Sequence, residues 1–127
     1  MLADAKATSG FAVPDTDEAK RFYGETLGVD VAVLDEENGV MALKLTGGDA
    51  LVYRKPDFAP ATYTILNFEV DDIDAAVDGL ASRGISFERY DGFEQDEKGI
   101  MHGPGPHIAW FKDPAGNILS ILQQPGG

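Results

Sequence analysis

Apolar and polar residues alternate with two different periods along this chain, and the period switches in a fixed order. Residues 15–28 carry Ala19, Phe22, Tyr23 and Leu27 at helical spacing. Asp15 stands as N-cap, Glu18 follows three residues later, and Gly28 is a stop. Residues 71–84 repeat this, with Asp71 or Asp72 as cap, Ile73, Ala76, Val77 and Leu80 on one face, and Gly84 as stop. Gly79, inside that helix, is expected at a close contact or an exposed position.

Strand patterns surround the helices. Residues 10–13 and 62–70 each lead into one. Residues 29–34, 40–45 and 50–54 follow the first helix; residues 85–90, 107–112 and 117–123 follow the second. Hairpin signals lie at 36–39, at 47–49 and at 113–117, where Gly116 and Asn117 suit positive φ. Segment 91–107 is long, polar and rich in Gly and Pro, and reads as a surface loop or a lid carrying Phe93, Met101 and His102.

The order is strand, helix, three strands, twice over. A shift of 57 residues places Phe11 on Phe68, Val13 on Val70 and Asp15 on Asp72; a shift of 68 places Gly48 on Gly116. The expectation is an α+β chain of two βαβββ modules, about 7–56 and 61–124. They would form a curved mixed sheet around a cleft for a ligand, within a single domain over 1–127.

Three stretches carry a family resemblance: F-x-V-P-D-x-D-x-A-x-x-FY-x-x-x-LG (Phe11 to Gly28), F-x-V-D-D-I-D-A-A (Phe68 to Ala76) and W-F-x-D-P-A-G-N (Trp110 to Asn117). The chain resembles the vicinal oxygen chelate superfamily, which includes glyoxalases, extradiol dioxygenases and bleomycin resistance proteins. These residues are caps, turns and core positions, so the resemblance speaks for the fold and little for a reaction. For metal-dependent relatives it implies four His, Gln or Glu donors, on the first and last strands of each module. A donor seven residues before the helix-opening aspartate falls on Thr8 and Ile65. One four residues after the turn glycine falls on Ser120 and, 68 residues earlier, on Val52. None of the four is such a donor, so no metal and no cofactor is expected.

Charge and composition narrow the partners. Ten basic against twenty-two acidic residues leave a net charge of −12, which disfavours nucleic acid and anionic membranes. There is no cysteine, no long apolar run and no basic-then-apolar leader, and the expected compartment is the cytoplasm. His102 and His107 flank Gly103-Pro104-Gly105-Pro106; with Asp96, Glu97 or Glu94 they offer a metal site, but they read first as ordinary loop and strand-start residues.

Strand alternation puts Phe11, Val13, Leu66, Phe68, Leu119 and Ile121 against the helices. The other face would carry Ala12, Ile65, Asn67, Ser120 and Leu122, with Val52 and Arg54. Asn67, Ser120, Tyr53, Trp110, Met101 and His107 are the ligand-binding candidates. The favoured reading is a metal-independent small-molecule binding protein of glyoxalase/bleomycin-resistance type. The alternative is a metal-dependent lyase, isomerase or dioxygenase with a non-standard site; catalytic residues stay unassigned. A homodimer is implied by the resemblance and by the need to cover sheet edges.

Overall fold

The computed structural model describes residues 1–125. The chain divides into two compact units, Met1–Ala59 and a second from Pro60 onward. Each unit is built as βαβββ around its own four-stranded mixed sheet.

In the first unit, β1 (Ser9–Val13) leads into α1 (Thr16–Arg21), and β2 (Asp30–Asp35), β3 (Val40–Lys44) and β4 (Ala50–Arg54) follow. The sheet order is β1-β4-β3-β2, with β1 parallel to β4 and the other pairs antiparallel. Asp15 caps α1 as its sequence position predicts, accepting from the backbone N–H groups of Asp17 and Glu18 at 2.9 and 3.2 Å. The helix does not run on as α-helix to Gly28. Residues Phe22–Thr26 form a π-helical segment, in which Leu27 N–H reaches the Phe22 carbonyl at 2.9 Å. Within that segment Tyr23 is fully buried, its ring 5.8 Å from Phe11 and 5.2 Å edge-on to Phe22.

In the second unit, β5 (Thr64–Glu69) precedes α2 (Ile73–Ala81), then β6 (Met101–His102), β7 (His107–Lys112) and β8 (Ile118–Gln123). The order β5-β8-β7-β6 repeats the first sheet, again with one parallel pair, β5 with β8. Asp72 is the cap of α2, accepting from Ala75 N–H at 3.1 Å. Ile73 and Val77 are buried, and Gln123 Oε1 accepts from Ile73 N–H at 2.9 Å. That bond places α2 on the side of the sheet shared by Gln123, Ile121 and Leu119. Gly79 is exposed with open space around it.

Several expectations need correction. Residues 85–90 form no strand. Glu88 N–H still donates to the Trp110 carbonyl at 2.7 Å, but no further ladder bond to β7 follows, and one side chain supplies partners instead. Gln95 accepts from Tyr90 N–H and donates to the Glu88 and Gly99 carbonyls, replacing ladder bonds that a strand would offer. The sheet's edge strand is instead β6, inside the stretch that reads as a loop. That stretch is also anchored: Ile100 is fully buried, and Asp96 Oδ1 accepts from the N–H groups of Lys98 and Ile100, each at 2.9 Å.

The turn at 113–117 forms, but only Gly116 takes positive φ (+95°). Asn117 works through its side chain. Its Nδ2 donates to Asp113 Oδ2 at 3.2 Å, and its Oδ1 accepts from Ala61 N–H at 3.4 Å.

The face assignment for Val52 and Arg54 is wrong. In the β1/β4 ladder Phe11 stands beside Val52 and Val13 beside Arg54, so both lie on the helix side of the first sheet. In β5/β8, Phe68 stands beside Ile121. With Phe11 matched to Phe68, the last strands are therefore offset by 69 residues, not 68. The turns align at one offset and the strands at another, and a one-residue slip exchanges faces. Ser120 corresponds to Leu51, and Asn67 to Gly10. Thr8 lies before β1, and Ile65 sits at a register shift between Thr64 and Leu66.

Candidate functional site on the helix-free face of the second sheet

Opposite α2, the second sheet presents two cross-strand rows. One is Asn67, Ser120 and Trp110; the next is Glu69, Leu122, Ile108 and Met101. Four of the sequence candidates (Asn67, Ser120, Trp110 and Met101) thus share one face. His107 has the strand parity of Ala109 and Phe111 and belongs to the other. Tyr53 lies in the first unit, 42% exposed on its sheet's helix-free face beside Ala12 and Val40.

Ser120 is fully buried, yet it is polar. Its Oγ donates to Asn67 Oδ1, which resolves the cost of a hydroxyl inside a strand. The bond also orients the exposed Asn67 amide. With Oδ1 engaged by the hydroxyl, Nδ2 is the group left to donate.

Beside this row lies an aromatic cluster. The Trp110 ring is 5.5 Å from Tyr90 and 5.4 Å from Phe93, and Tyr90 is 5.9 Å from Phe93. The Tyr90 hydroxyl is buried without a hydrogen-bond partner. Burial, and then the Glu88 carboxylate, push this phenol above its ordinary value. Next to the cluster is a cavity of about 440 Å³ lined by Phe93, Gln95, Asp96, Met101 and His102 with neighbouring backbone. Phe93, Met101 and His102 are the three loop residues expected to approach a ligand; the structure gathers them around this cavity.

Of the acids that the sequence offers to the two histidines, the β6/β7 hairpin brings one, Asp96, into a chain of side chains. Asp96 Oδ2 lies 2.7 Å from His102 Nε2, and His102 Nδ1 lies 2.8 Å from His107 Nδ1. Burial works to raise the Asp96 carboxyl, but the bonds from His102, Ile100 and Lys98 outweigh it and hold it below its ordinary value. The five-residue spacing around a Gly-Pro-Gly-Pro turn was the available signal: it makes the histidines direct cross-strand partners.

The ion used by metal-dependent proteins of this fold does not suit the residues here. Re-registered on the observed ladders, Leu51 takes the place of Val52, so the implied donor positions are Thr8 and Leu51 in the first unit and Ile65 and Ser120 in the second. None is a histidine or a carboxylate. Among the described residues no group of three or more His, Cys, Asp or Glu side chains is gathered for a metal, and no helix is long and apolar enough to cross a membrane.

Two βαβββ units, each with a helix on one side of a four-stranded mixed sheet, define the glyoxalase-like fold. The model of the Glyoxalase/Bleomycin resistance protein/Dioxygenase superfamily matches residues 7–121, and the chain belongs to that superfamily. Among solved structures, the chain is similar to TnmS3, an antibiotic binding protein from a Streptomyces species, at 27% identity and a TM-score of 0.68, over 95% of this chain and 98% of that one. It shares its fold with a superfamily member from Sphaerobacter thermophilus (23% identity, TM-score 0.69, 94% and 98% covered). The same holds for lactoylglutathione lyase from Agrobacterium tumefaciens (21%, 0.65, 94% and 93%). No curated protein sequence matches the chain.

Proposed function

We propose that this chain is a small-molecule binding protein that holds its ligand on the helix-free face of the second sheet without a metal ion. The Asn67–Ser120–Trp110 row carries the reading. It offers an oriented amide donor beside an aromatic wall, and it has no carboxylate or imidazole at the positions where a metal-dependent relative keeps its donors. Such a surface suits a flat aromatic ligand bearing an oxygen acceptor. The net charge of −12 favours a ligand that is neutral or cationic. The likeness to TnmS3, whose ligand is an antibiotic, supports the same class.

We read the working unit as a homodimer. Val33 and Leu34 are exposed on β2, the edge of the first sheet, and such an edge is stabilised by a cover. Light scattering behind a sizing column tests this; a monomer at micromolar concentration argues against it.

The site itself is tested with Asn67→Leu, an exposed position; the buried Ser120 hydroxyl loses its acceptor there at a cost of about 1–3 kcal/mol, which folding should survive. Losing one neutral hydrogen bond to the ligand corresponds to about 1 kcal/mol, or roughly a five- to tenfold weaker Kd. Trp110 fluorescence titration with a planar aromatic hit from a melting screen reads the change. Unchanged affinity in Asn67→Leu would place the ligand elsewhere. Metal-dependent catalysis is the second reading, and it gains only if ligand binding requires an added divalent ion.

A further inference from the structure

The Asp96–His102–His107 chain is separate from the Asn67 row. His107 lies on the other side of the sheet, and the function proposed above makes no use of these residues. Their geometry is unusual for two histidines that merely face solvent. His102 and His107 are direct cross-strand partners in β6 and β7, their ring centroids 4.8 Å apart and their planes 66° to each other. Their Nδ1 atoms face each other at 2.8 Å. The far nitrogen of His102 is held by a carboxylate, and that carboxylate is itself fixed by the N–H groups of Lys98 and Ile100.

We propose that this hairpin is a binding site for a divalent transition-metal ion of borderline softness, such as Zn²⁺, with the Nδ1 atoms of His102 and His107 as its protein donors. Metal–imidazole bonds run about 2.0–2.1 Å, so a tetrahedral ion needs its two nitrogens about 3.3 Å apart. The pair therefore opens by roughly half an ångström to admit an ion of that size. A metal takes both rings in the tautomer with the proton on Nε2, which for His102 is the proton donated to Asp96, so that each Nδ1 presents a lone pair. Asp96 then plays the part of a carboxylate behind a ligating histidine: it fixes the tautomer, aims the ring and raises its donor strength.

Nitrogen donors select against Mg²⁺ and Ca²⁺, which take oxygen ligands. Two protein donors leave the remaining coordination positions to water or to a chelating small molecule. The overall negative charge adds attraction for any cation.

The test uses the full chain, stripped with chelator and titrated calorimetrically with Zn²⁺ in chelator-free buffer. One ion per chain is expected. His102→Ala and His107→Ala should each weaken binding at least tenfold, and Asp96→Asn should weaken it about tenfold as an outer partner. The chain has two histidines, so their ring ¹⁵N signals report the site without assignment by mutation. Zinc should shift both Nδ1 resonances. The proposal is overturned if the His102→Ala/His107→Ala double variant binds zinc as tightly as the parent, or if zinc binds while both ring signals stay in place. Either result leaves the Asn67 site untouched, because that site is read with EDTA present.

Discussion

Removing the Asp113 carboxylate should destabilise the second unit more than any surface substitution. Asp113 is 4% exposed and Asn117 is 2% exposed, so the turn between β7 and β8 contains a buried polar pair. Asp113 Oδ1 accepts from the N–H groups of Ala115 and Asn117 at 3.0 and 2.9 Å, and Oδ2 accepts from Asn117 Nδ2 at 3.2 Å. Asn117 in turn accepts from Ala61 N–H, so the turn also ties down the chain entering the second unit. In Asp113→Ala these donors lose their acceptor, and the Asn117 N–H has little access to water. Hydrogen bonds to charged groups are each worth about 1.5–3 kcal/mol, but relaxation recovers part of the sum, so a net loss of about 3 kcal/mol is expected. For a chain of this length that is a fall in Tm of about 10 °C. Asp113→Asn keeps one oxygen for the two backbone donors but turns an amide against the Asn117 amide; about half the loss is expected. Urea unfolding followed by the fluorescence of the single tryptophan gives both values. A loss under about 1 kcal/mol in Asp113→Ala would refute the reasoning that this carboxylate organises the turn.

Further outcomes follow elsewhere in the chain. Tyr90→Phe removes a buried hydroxyl that has no partner, so it should leave stability unchanged or raise it by about 1 kcal/mol, where a satisfied tyrosine would lose as much. The folded-state phenol is raised, so the unfolded chain ionises first as pH climbs; stability should fall with rising pH above about 10 in the parent and less steeply in Tyr90→Phe. Gly79→Ala should stabilise α2 by about 1 kcal/mol, because open space surrounds the new methyl. Gly39→Ala should cost at least that much, since φ is +68° and its Cβ would stand 2.7 Å from Arg54 Cβ. Chemical denaturation of each variant checks both signs, and a destabilising Gly79→Ala would contradict the placement.

The elements that were legible in the sequence are those set by local chemistry. Asp15 and Asp72 announce their helices because a cap works through its own next few residues. The βαβββ order survives because its turns carry glycine at the right intervals. What escaped depends on partners distant in sequence. Residues 85–90 look like strand, but Gln95 supplies the bonds that would have made them one. Val52 looks cleft-facing only under an offset read from the turns, and one residue of difference between turn and strand reverses it. At the site, alternation correctly grouped Asn67 with Ser120, since both lie inside regular ladder. It gave His107 no face, and spacing alone could not select Asp96 from the neighbouring acids as the one that joins both histidines in a chain.

The most direct test of the central claim is a melting-shift measurement with a planar aromatic ligand, made on chelator-treated protein with and without excess EDTA. A ligand that binds the native state raises Tm by mass action whatever holds it there. A metal-independent site predicts the same shift in both arms, and a smaller one in Asn67→Leu under EDTA. A shift that vanishes with EDTA and returns with added divalent ion would contradict the account.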